Sequence, residues 1–439
     1  MKTRVTRIFT VFLALLLLFG AICAPVSAAS NESSYAEILA ALTADSYADY
    51  LKGVIQDGAV KRDGVTIDVD IFDYEAADML DGDSVKVEKG VPDKNGNEVN
   101  YVVLPGSGSV SWKVQIGADQ AGLYGIRIEY YPLDGSTSTI ERKLFIDGSV
   151  PFDEARALSF SKVWKYNYTD KNGNPIVDED GNHSFRVDAA GNDIRATIAQ
   201  APCYLTYECT DTDGFYNEPF QFHFGEGERT ISLVAGKEAF AIKSITLFAV
   251  EESKTLADYQ AEWAAKGYTA APSGSTVYLR AETPDAVSDS AVYPSTDRTS
   301  AITTPIDAFA QKINVIGASS YNTTGQWASY TFTVNESGIY NIASRFKQSA
   351  LQGMFASRVI KLASSDGMYG YEDGTPSVPY QECYFARFNY SDDWQVEAMN
   401  TNGAGTELEF YFEQGVTYTL RVEVGLGDMV RSSTILRRP

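Results

Sequence analysis

The stretch SVSWKVQIGADQAGLYGIRIEYY, residues 109–131, decides the fold that the sequence predicts. Apolar side chains occupy every second position at its start (Trp112, Val114, Ile116), and the pattern turns at Gly122 before it resumes. Alternation with a period of two indicates a strand with one buried face. A glycine turn between two such strands indicates a β-hairpin. The stretch therefore predicts two antiparallel strands of a half-buried sheet.

The same pattern recurs in WASYTFTVNESGIYNIASRFK, residues 327–347, which turns at Gly338. Two further pairs of segments match in the same order, namely 141–164 with 357–394 and 220–234 with 408–422. Three collinear matches are hard to reach by chance. They indicate an internal duplication whose unit contains several antiparallel strands, as in a β-sandwich.

A helical pattern precedes each copy. The segments 46–56 and 255–268 share Ala-Asp-Tyr and place apolar residues at helical spacing. We therefore predict a mainly β protein with two tandem antiparallel β-sandwiches, each preceded by a short α-helix. The predicted units are a signal peptide (1–28), a helical N-terminal segment (29–60), a first sandwich (61–252), a helical linker (253–272) and a second sandwich (273–439).

The N-terminus has the order of a secretory signal peptide. Three basic residues precede an apolar run, and small residues ending at Ala28 follow it. Lipid attachment at Cys23 is the alternative, which Ile22 disfavours because a small residue is required there. No later segment approaches the ~20 apolar residues of a membrane span. We expect a secreted, extracellular protein, with attachment to the cell surface as a further option.

The chain is strongly acidic. It has 36 Lys and Arg against 58 Asp and Glu, which gives a formal net charge of −22. Such a surface repels nucleic acid and anionic membranes, so we expect no nucleic-acid partner.

Two acidic loops are candidate calcium-binding sites. The segment 169–193 is rich in Asn-Gly and Asp-Gly pairs, which are typical of hairpin turns, and its spacing does not fit an EF-hand. In the loop 211–220, Asp211 and Asp213 are weak candidate ligands for a structural calcium ion. We expect no other cofactor.

The usual catalytic motifs are missing from the sequence. It contains no GxSxG, HExxH or Cys/His pair, and glycoside hydrolysis needs two carboxylates that flank one bond. Each copy has an Arg and a Glu at matching positions, Arg142 with Glu154 and Arg358 with Glu382. We interpret these as structural ion pairs between strands and predict that the protein is not an enzyme.

Aromatic residues beside polar ones are the best candidate contacts for a sugar. One group alternates along a strand, and another lies in SSDGMYGYEDGTP (364–376), an insertion found only in the second copy. The candidate residues are Trp164, Tyr166, Tyr168, Tyr369, Tyr371, Glu372 and Asp373. The alternative for Trp164 and its match Trp394 is that both are core residues, since large aromatic rings are usually buried.

The matched segments also resemble a known family. YYPLDGSTSTIERKLFIDGSVPFDEARALSFSKVW, GFYNEPFQFHFGEGERTISL and TTGQWASYTFTVNESGIYNIASRFKQ are similar to the N-terminal region of large extracellular solute-binding proteins (family 1) of carbohydrate ABC importers. In that family, tandem galactose-binding-like β-sandwiches precede a two-lobed solute-binding domain. The resemblance implies a carbohydrate or oligosaccharide ligand and an importer permease or solute-binding protein as partner. By this resemblance, the chain is expected to be a relative of the family that is truncated before the two-lobed solute-binding domain.

Two functions follow from these observations. The first is a secreted, non-catalytic protein that binds or presents carbohydrate beside an ABC importer. The second is a structural spacer or protein-docking module at the cell surface, without a sugar site.

Overall fold

The structure is a computed structural model that describes residues 45–92, 97–135, 137–350, 352–401, 405–427 and 431–437. The predicted signal peptide and the start of the predicted helical segment lie outside these residues. Helix α1 spans Tyr47–Gln56 and helix α2 spans Leu256–Ala265, so both predicted helices are confirmed. Among the described residues, no helix has the length and apolar character needed to cross a bilayer.

Short antiparallel strands make up most of the rest. The strands before α2 are β1 (Thr66–Val69), β2 (Tyr74–Ala77), β3 (Lys86–Pro92), β4 (Glu98–Leu104), β5 (Ser109–Ile116), β6 (Gly122–Pro132), β7 (Ile140–Ile146), β8 (Leu158–Phe160), β9 (Trp164–Asn167), β10 (Arg186–Val187), β11 (Asp193–Ile194), β12 (Thr197–Gln200), β13 (Leu205–Glu208), β14 (Phe222–Phe224), β15 (Gly227–Lys237) and β16 (Phe240–Phe248).

The strands after α2 are β17 (Val277–Tyr278), β18 (Ala286–Val287), β19 (Pro294–Ser295), β20 (Val315–Gly317), β21 (Trp327–Phe332), β22 (Gly338–Lys347), β23 (Phe355–Ser364), β24 (Ala386–Asn389), β25 (Gln395–Ala398), β26 (Glu409–Phe412), β27 (Tyr418–Gly427) and β28 (Arg431–Arg437).

Two sheets form the first sandwich. One has the order β2-β5-β15-β7-β8, and the other has the order β13-β6-β16-β4-β3, with β1 on β16 and β14 on β6. Trp112, Ile126 and Leu144 are among the buried residues between the two sheets. Both predicted strands are present as β5 and β6, but they lie in opposite sheets instead of pairing with each other, so the predicted β-hairpin is wrong.

The second sandwich repeats this pairing scheme. The order β21-β27-β23-β24 matches β5-β15-β7-β8, and β22 contacts β25, β26 and β28 as β6 contacts β13, β14 and β16. The other sheet has the order β19-β20-β28-β22-β25, with β17 on β28. A separate core cluster that includes Tyr330, Ile342 and Leu420 fills this sandwich. The mainly β, antiparallel fold class is confirmed, and the segments that match in sequence occupy corresponding strands.

One segment crosses between the sandwiches. Strands β9 and β12 pair with each other, and β9 pairs with β18, where Trp164 lies opposite Val287. The sheet of the second sandwich therefore begins with residues 164–200, which the sequence-based boundaries place in the first. Alternation predicts a strand but does not say which sheet it joins.

The two repeated glutamates contact the N-termini of the helices and do not form ion pairs with the repeated arginines. Glu154 accepts a hydrogen bond from the backbone N–H of Tyr47 at 2.9 Å, and Glu382 accepts one from that of Leu256 at 2.8 Å. Each carboxylate thus lies at the positive N-terminal end of the helix of its own copy. The predicted ion pairs with Arg142 and Arg358 are replaced by these contacts.

The repeated arginines bind backbone carbonyl groups. The buried Arg142 donates to the carbonyl oxygens of Glu141, Pro105, Lys237 and Glu238 at 2.7–3.0 Å. Arg358 donates in the same way to Ser357 and Tyr321. Burial lowers the pKa of Arg142 to about 10, so the side chain stays charged at neutral pH.

Candidate functional site

A cleft of about 890 Å³ lies between the two sandwiches. Its floor is the outer face of β21, β27, β23 and β24, and one wall is β13 with the loop that follows it. One side is closed by Tyr371 and residues 375–378, which include the end of the insertion, and by side chains from residues 382–387. Because its walls belong to separate sandwiches, the cleft exists only through their packing.

Three exposed phenylalanine rings border the cleft. Phe215 is 70% exposed, Phe385 is 50% exposed and Phe355 is 37% exposed. Exposed rings grouped around one concave site are typical of a contact surface, because apolar patches on monomers are usually small and often functional. Their flat faces match the apolar C–H face of a sugar ring.

Local contacts hold two of these rings in place. The backbone N–H of Phe215 donates to Asp211 Oδ2 at 2.7 Å, which fixes the loop that carries the ring. The guanidinium carbon of Arg387 lies 3.7 Å from the ring centroid of Phe355. A ring that is already fixed loses little entropy when a ligand stacks on it.

Two ion pairs hold three charged residues of the cleft lining, namely Glu208, Lys361 and Glu423. Arg127 Nη2 donates to Glu208 at 2.7 Å, and Lys361 Nζ donates to Glu423 at 2.7 Å. The ring of Tyr371 lies beside Arg127, whose guanidinium carbon is 5.3 Å from its centroid. These groups provide hydrogen-bond donors and acceptors for a ligand with many hydroxyl groups.

The hydroxyls of Tyr371 and Tyr384 in the cleft are neutral at ordinary pH. Burial raises the pKa of Tyr371 and of Tyr384, and the nearby Glu208 raises both further. The two side chains therefore act as hydrogen-bonding and stacking groups.

Most of the predicted aromatic contacts are buried. Trp164, Tyr166 and Tyr168 share one strand face, as predicted, but that face belongs to the core of the second sandwich. The hydroxyls of Tyr166 and Tyr168 donate to the backbone carbonyls of Val292 and Pro284. Of these three residues, Trp164 borders the cleft. Its match Trp394 is buried too, so the core interpretation of both tryptophans is confirmed.

The predicted sugar-contact residues of the insertion lie in three different places: the core, the cleft and the surface. Tyr369 is 4% exposed and donates to the carbonyl of Tyr411, because the insertion folds back onto the core instead of projecting from it. Tyr371 lines the cleft, whereas Glu372 is exposed outside it. Asp373 accepts a hydrogen bond from Thr206 Oγ1 at 2.6 Å and so ties the insertion to the first sandwich. Sugar binding by these residues stays a prediction, and burial does not favour it for Tyr369.

The acidic loops form turns. Asp211 accepts hydrogen bonds from the backbone N–H groups of Asp213, Phe215 and Tyr216, so its oxygens already have partners. Within the described ranges, no group of three or more His, Cys, Asp or Glu side chains is arranged to hold a metal ion. Calcium binding by Asp211 and Asp213 stays a prediction.

The predicted turns in 169–193 are present. Asp170, Asp178 and Asp188 each accept hydrogen bonds from the backbone N–H groups two and four residues further on. Hydrogen bonds from Asn174 and Asn192 lower the pKa of Asp170 and Asp188, respectively. Each carboxylate stabilises a hairpin turn.

The three exposed phenylalanines are not among the site residues predicted from the sequence. A signal existed for Phe355, since it lies on the polar side of an alternating strand that also carries Ser357 and Lys361. Phe215 lies inside an acidic turn, where an aromatic ring has no local core to enter. For Phe385, the last residue of a short 3₁₀ helix, no local pattern predicts exposure.

No protein-family model matches this chain, and no curated protein matches it. Among solved structures, a family 35 carbohydrate binding module from Clostridium thermocellum is 11% identical, with a TM-score of 0.22, over 43% of this chain and 100% of that chain. The N-terminal CBM22-1-CBM22-2 tandem domain from Paenibacillus barcinonensis Xyn10C is 9% identical, with a TM-score of 0.21, over 87% of this chain and 98% of that chain.

A third similar structure is the GH26-CBM35 beta-(1,4)-mannanase from Podospora anserina. It is 14% identical, with a TM-score of 0.21, over 47% of this chain and 35% of that chain. Likeness at this level says nothing about what this chain binds.

Proposed function

We propose that this protein is a non-catalytic carbohydrate-binding protein whose site is the cleft between the sandwiches. The observation that carries the proposal is the group of exposed rings, Phe215, Phe355 and Phe385, around a cleft that also contains hydrogen-bonding charged groups. A sugar-binding site needs both features together, because a sugar ring has an apolar C–H face and hydroxyl groups around its edge.

The size and lining of the cleft support this proposal. Pockets for small ligands have volumes of about 300–1,000 Å³, and they combine apolar walls with a few fixed polar groups. The ion pairs Arg127–Glu208 and Lys361–Glu423 have fixed geometry across neighbouring strands. Their members in the cleft lining, Glu208, Lys361 and Glu423, supply oriented donors and acceptors at little entropic cost, which favours a specific ligand.

The biological setting is part of the proposal. We infer an extracellular protein that works beside a carbohydrate ABC importer, with its permease or solute-binding protein as partner. The N-terminal signal pattern and the resemblance of the repeated segments support this setting. The galactose-binding-like assignment of each sandwich rests on the same resemblance.

A spacer or protein-docking role without a sugar site is the second candidate. The burial of Trp164, Tyr166, Tyr168 and Tyr369 favours it, since four of the predicted sugar contacts serve the core instead. The two candidates differ in whether the cleft rings contribute to binding.

Affinity electrophoresis against a panel of plant and bacterial polysaccharides tests the proposal. We expect retention of the protein, and we expect Phe385→Ala and Phe215→Ala each to weaken it roughly tenfold, about 1.4 kcal/mol. Phe309→Ala is the matched control, because this ring is 96% exposed and lies outside the cleft lining. Absence of retention on every polysaccharide, or equal loss in all three variants, would contradict the proposal.

A further inference from the structure

The floor of the cleft brings cations together. Lys361 on β23 lies directly opposite Arg421 on β27, and both point away from the core because their strand neighbours Ile360, Leu362, Leu420 and Val422 are buried. Arg387 on the next strand, β24, points to the same face. Like charges directly opposite each other destabilise a sheet. In a chain with a net charge of −22, solubility does not explain this arrangement.

Among the residues that the structure describes, five carboxylates line the cleft against four cations, but each of these carboxylates already has a hydrogen-bonding partner other than Arg387 or Arg421; they are Glu208, Asp211, Asp289, Glu382 and Glu423. Glu423 accepts from Lys361, and Asp373 accepts from Thr206 and from the backbone N–H of Thr375. Arg387 donates to the neutral amide oxygen of Asn389. Burial lowers the pKa of Arg421 although Glu423 and Asp373 act to raise it. The environment of Arg421 therefore disfavours its charge on balance.

Two buried N–H groups at the same place have no acceptor. Within the described part of the chain, Nε of Arg421 and Nε1 of Trp327 have no hydrogen-bond partner. Trp327 is 2% exposed, and the guanidinium carbon of Arg421 lies 4.0 Å from its ring centroid. Both residues line the cleft. Buried donors without acceptors are rare in proteins. Both N–H groups are themselves enclosed, so a ligand in the cleft approaches this pair through the rest of the half-buried Arg421 guanidinium.

We propose that the carbohydrate bound in this cleft is anionic, and that its oxyanion groups, carboxylate or sulfate ester, contact the guanidinium groups of Arg421 and Arg387. This inference rests on the proposed function, since it names the class of sugar that the same cleft takes. An oxyanion supplies several acceptor sites and a negative charge at once, and arginine binds such groups in a bidentate manner. A neutral hydroxyl supplies an acceptor without the charge.

Matched pairs of polysaccharides test the inference. Polygalacturonate and its fully methyl-esterified form share one backbone, and dextran sulfate and dextran share another, so each pair keeps its sugar backbone and differs in the substituent that carries the charge. We expect at least a tenfold preference for the anionic member of one pair, which falls as NaCl concentration rises. Preference for polygalacturonate assigns the carboxylate, and preference for dextran sulfate assigns the sulfate ester.

Substitutions of the cleft cations test whether the preference for anionic polysaccharides arises in the cleft. Arg387→Gln and Lys361→Gln remove surface-facing charges with little risk to folding, and we expect each to reduce the preference severalfold. Arg195→Gln is the control, since Arg195 stacks on Tyr293 outside the cleft lining. Equal affinity for both members of each pair overturns the inference. If binding then still depends on Phe385, the proposed function stands, and if nothing binds, both fail.

Discussion

At the scale of single residues, the two glycines that open β6 and β22 show what the sequence motif encodes. The sequence analysis assigns Gly122 and Gly338 to turns. In the structure, a Cβ at position 122 would lie 2.5 Å from the carbonyl oxygen of Val60, and a Cβ at position 338 would overlap the backbone of Ala271. The segment after each helix therefore packs directly on its glycine, which leaves no space for a side chain.

The glycine contacts make a prediction about stability. We expect Gly122→Ala and Gly338→Ala each to lower the free energy of unfolding by about 1–3 kcal/mol, since backbone atoms must move to accept the methyl group. Urea denaturation followed by circular dichroism measures this change.

Gly53→Ala is the matched control, because a Cβ there meets nothing within 4 Å and the residue lies inside α1. Helix propensity predicts that this control is neutral or more stable by up to about 1 kcal/mol. A loss in the control equal to that in the other two variants would contradict the explanation by close packing.

At the scale of elements, each sandwich docks its helix through the same two side chains. Phe152 and Tyr380 occupy matching positions and contact aromatic rings of α1 and α2, respectively. Glu154 and Glu382 follow two residues later and accept the first backbone N–H of each helix. The aligned motifs VPFDE and VPYQE are thus helix-docking motifs.

This docking predicts a measurable loss when the carboxylate is removed. We expect Glu382→Ala to lower the free energy of unfolding by about 0.5–2 kcal/mol, because an N-terminal N–H of α2 loses its acceptor. Thermal and chemical denaturation measure the loss. Glu382→Gln keeps an acceptor oxygen but removes the charge, so a smaller loss is expected. A loss for Glu372→Ala, an exposed carboxylate in the insertion, as large as that for Glu382→Ala would contradict a specific contact.

At the scale of the whole molecule, the two sandwiches are joined by more than a linker. Strands β9 and β12 from the first half of the chain extend a sheet of the second sandwich. In return, Trp327 and Ala286 from the second half pack in the core cluster of the first. The contact of Asp373 with Thr206 adds a polar link beside the cleft.

We therefore expect the two sandwiches to unfold together. Differential scanning calorimetry should give one transition whose calorimetric and van't Hoff enthalpies agree. Trp164→Ala removes a buried ring from the crossing strand, so it should lower stability by about 3–5 kcal/mol while the transition stays single. Phe309→Ala, with its exposed ring, should leave the transition unchanged. Two separated transitions in the unaltered protein would contradict this shared stability.

The sequence by itself determined the local structure of this protein. The spacing of apolar residues, about 3.6 residues in a helix and 2 in a strand, determined where helices and strands form. This spacing is local because side-chain direction follows from backbone geometry within a few residues. Asn-Gly and Asp-Gly pairs determined the turns of 169–193 for the same local reason.

Only the tertiary structure decided which distant groups meet. It placed β9 in the second sandwich, Glu382 at the start of α2, and the three phenylalanines around one cleft. An alternating pattern states which side chains share a face, but it does not state what covers that face. The burial of Tyr168 and the exposure of Phe385 depend on the packing of the two sandwiches, which is fixed by contacts between residues far apart in the chain.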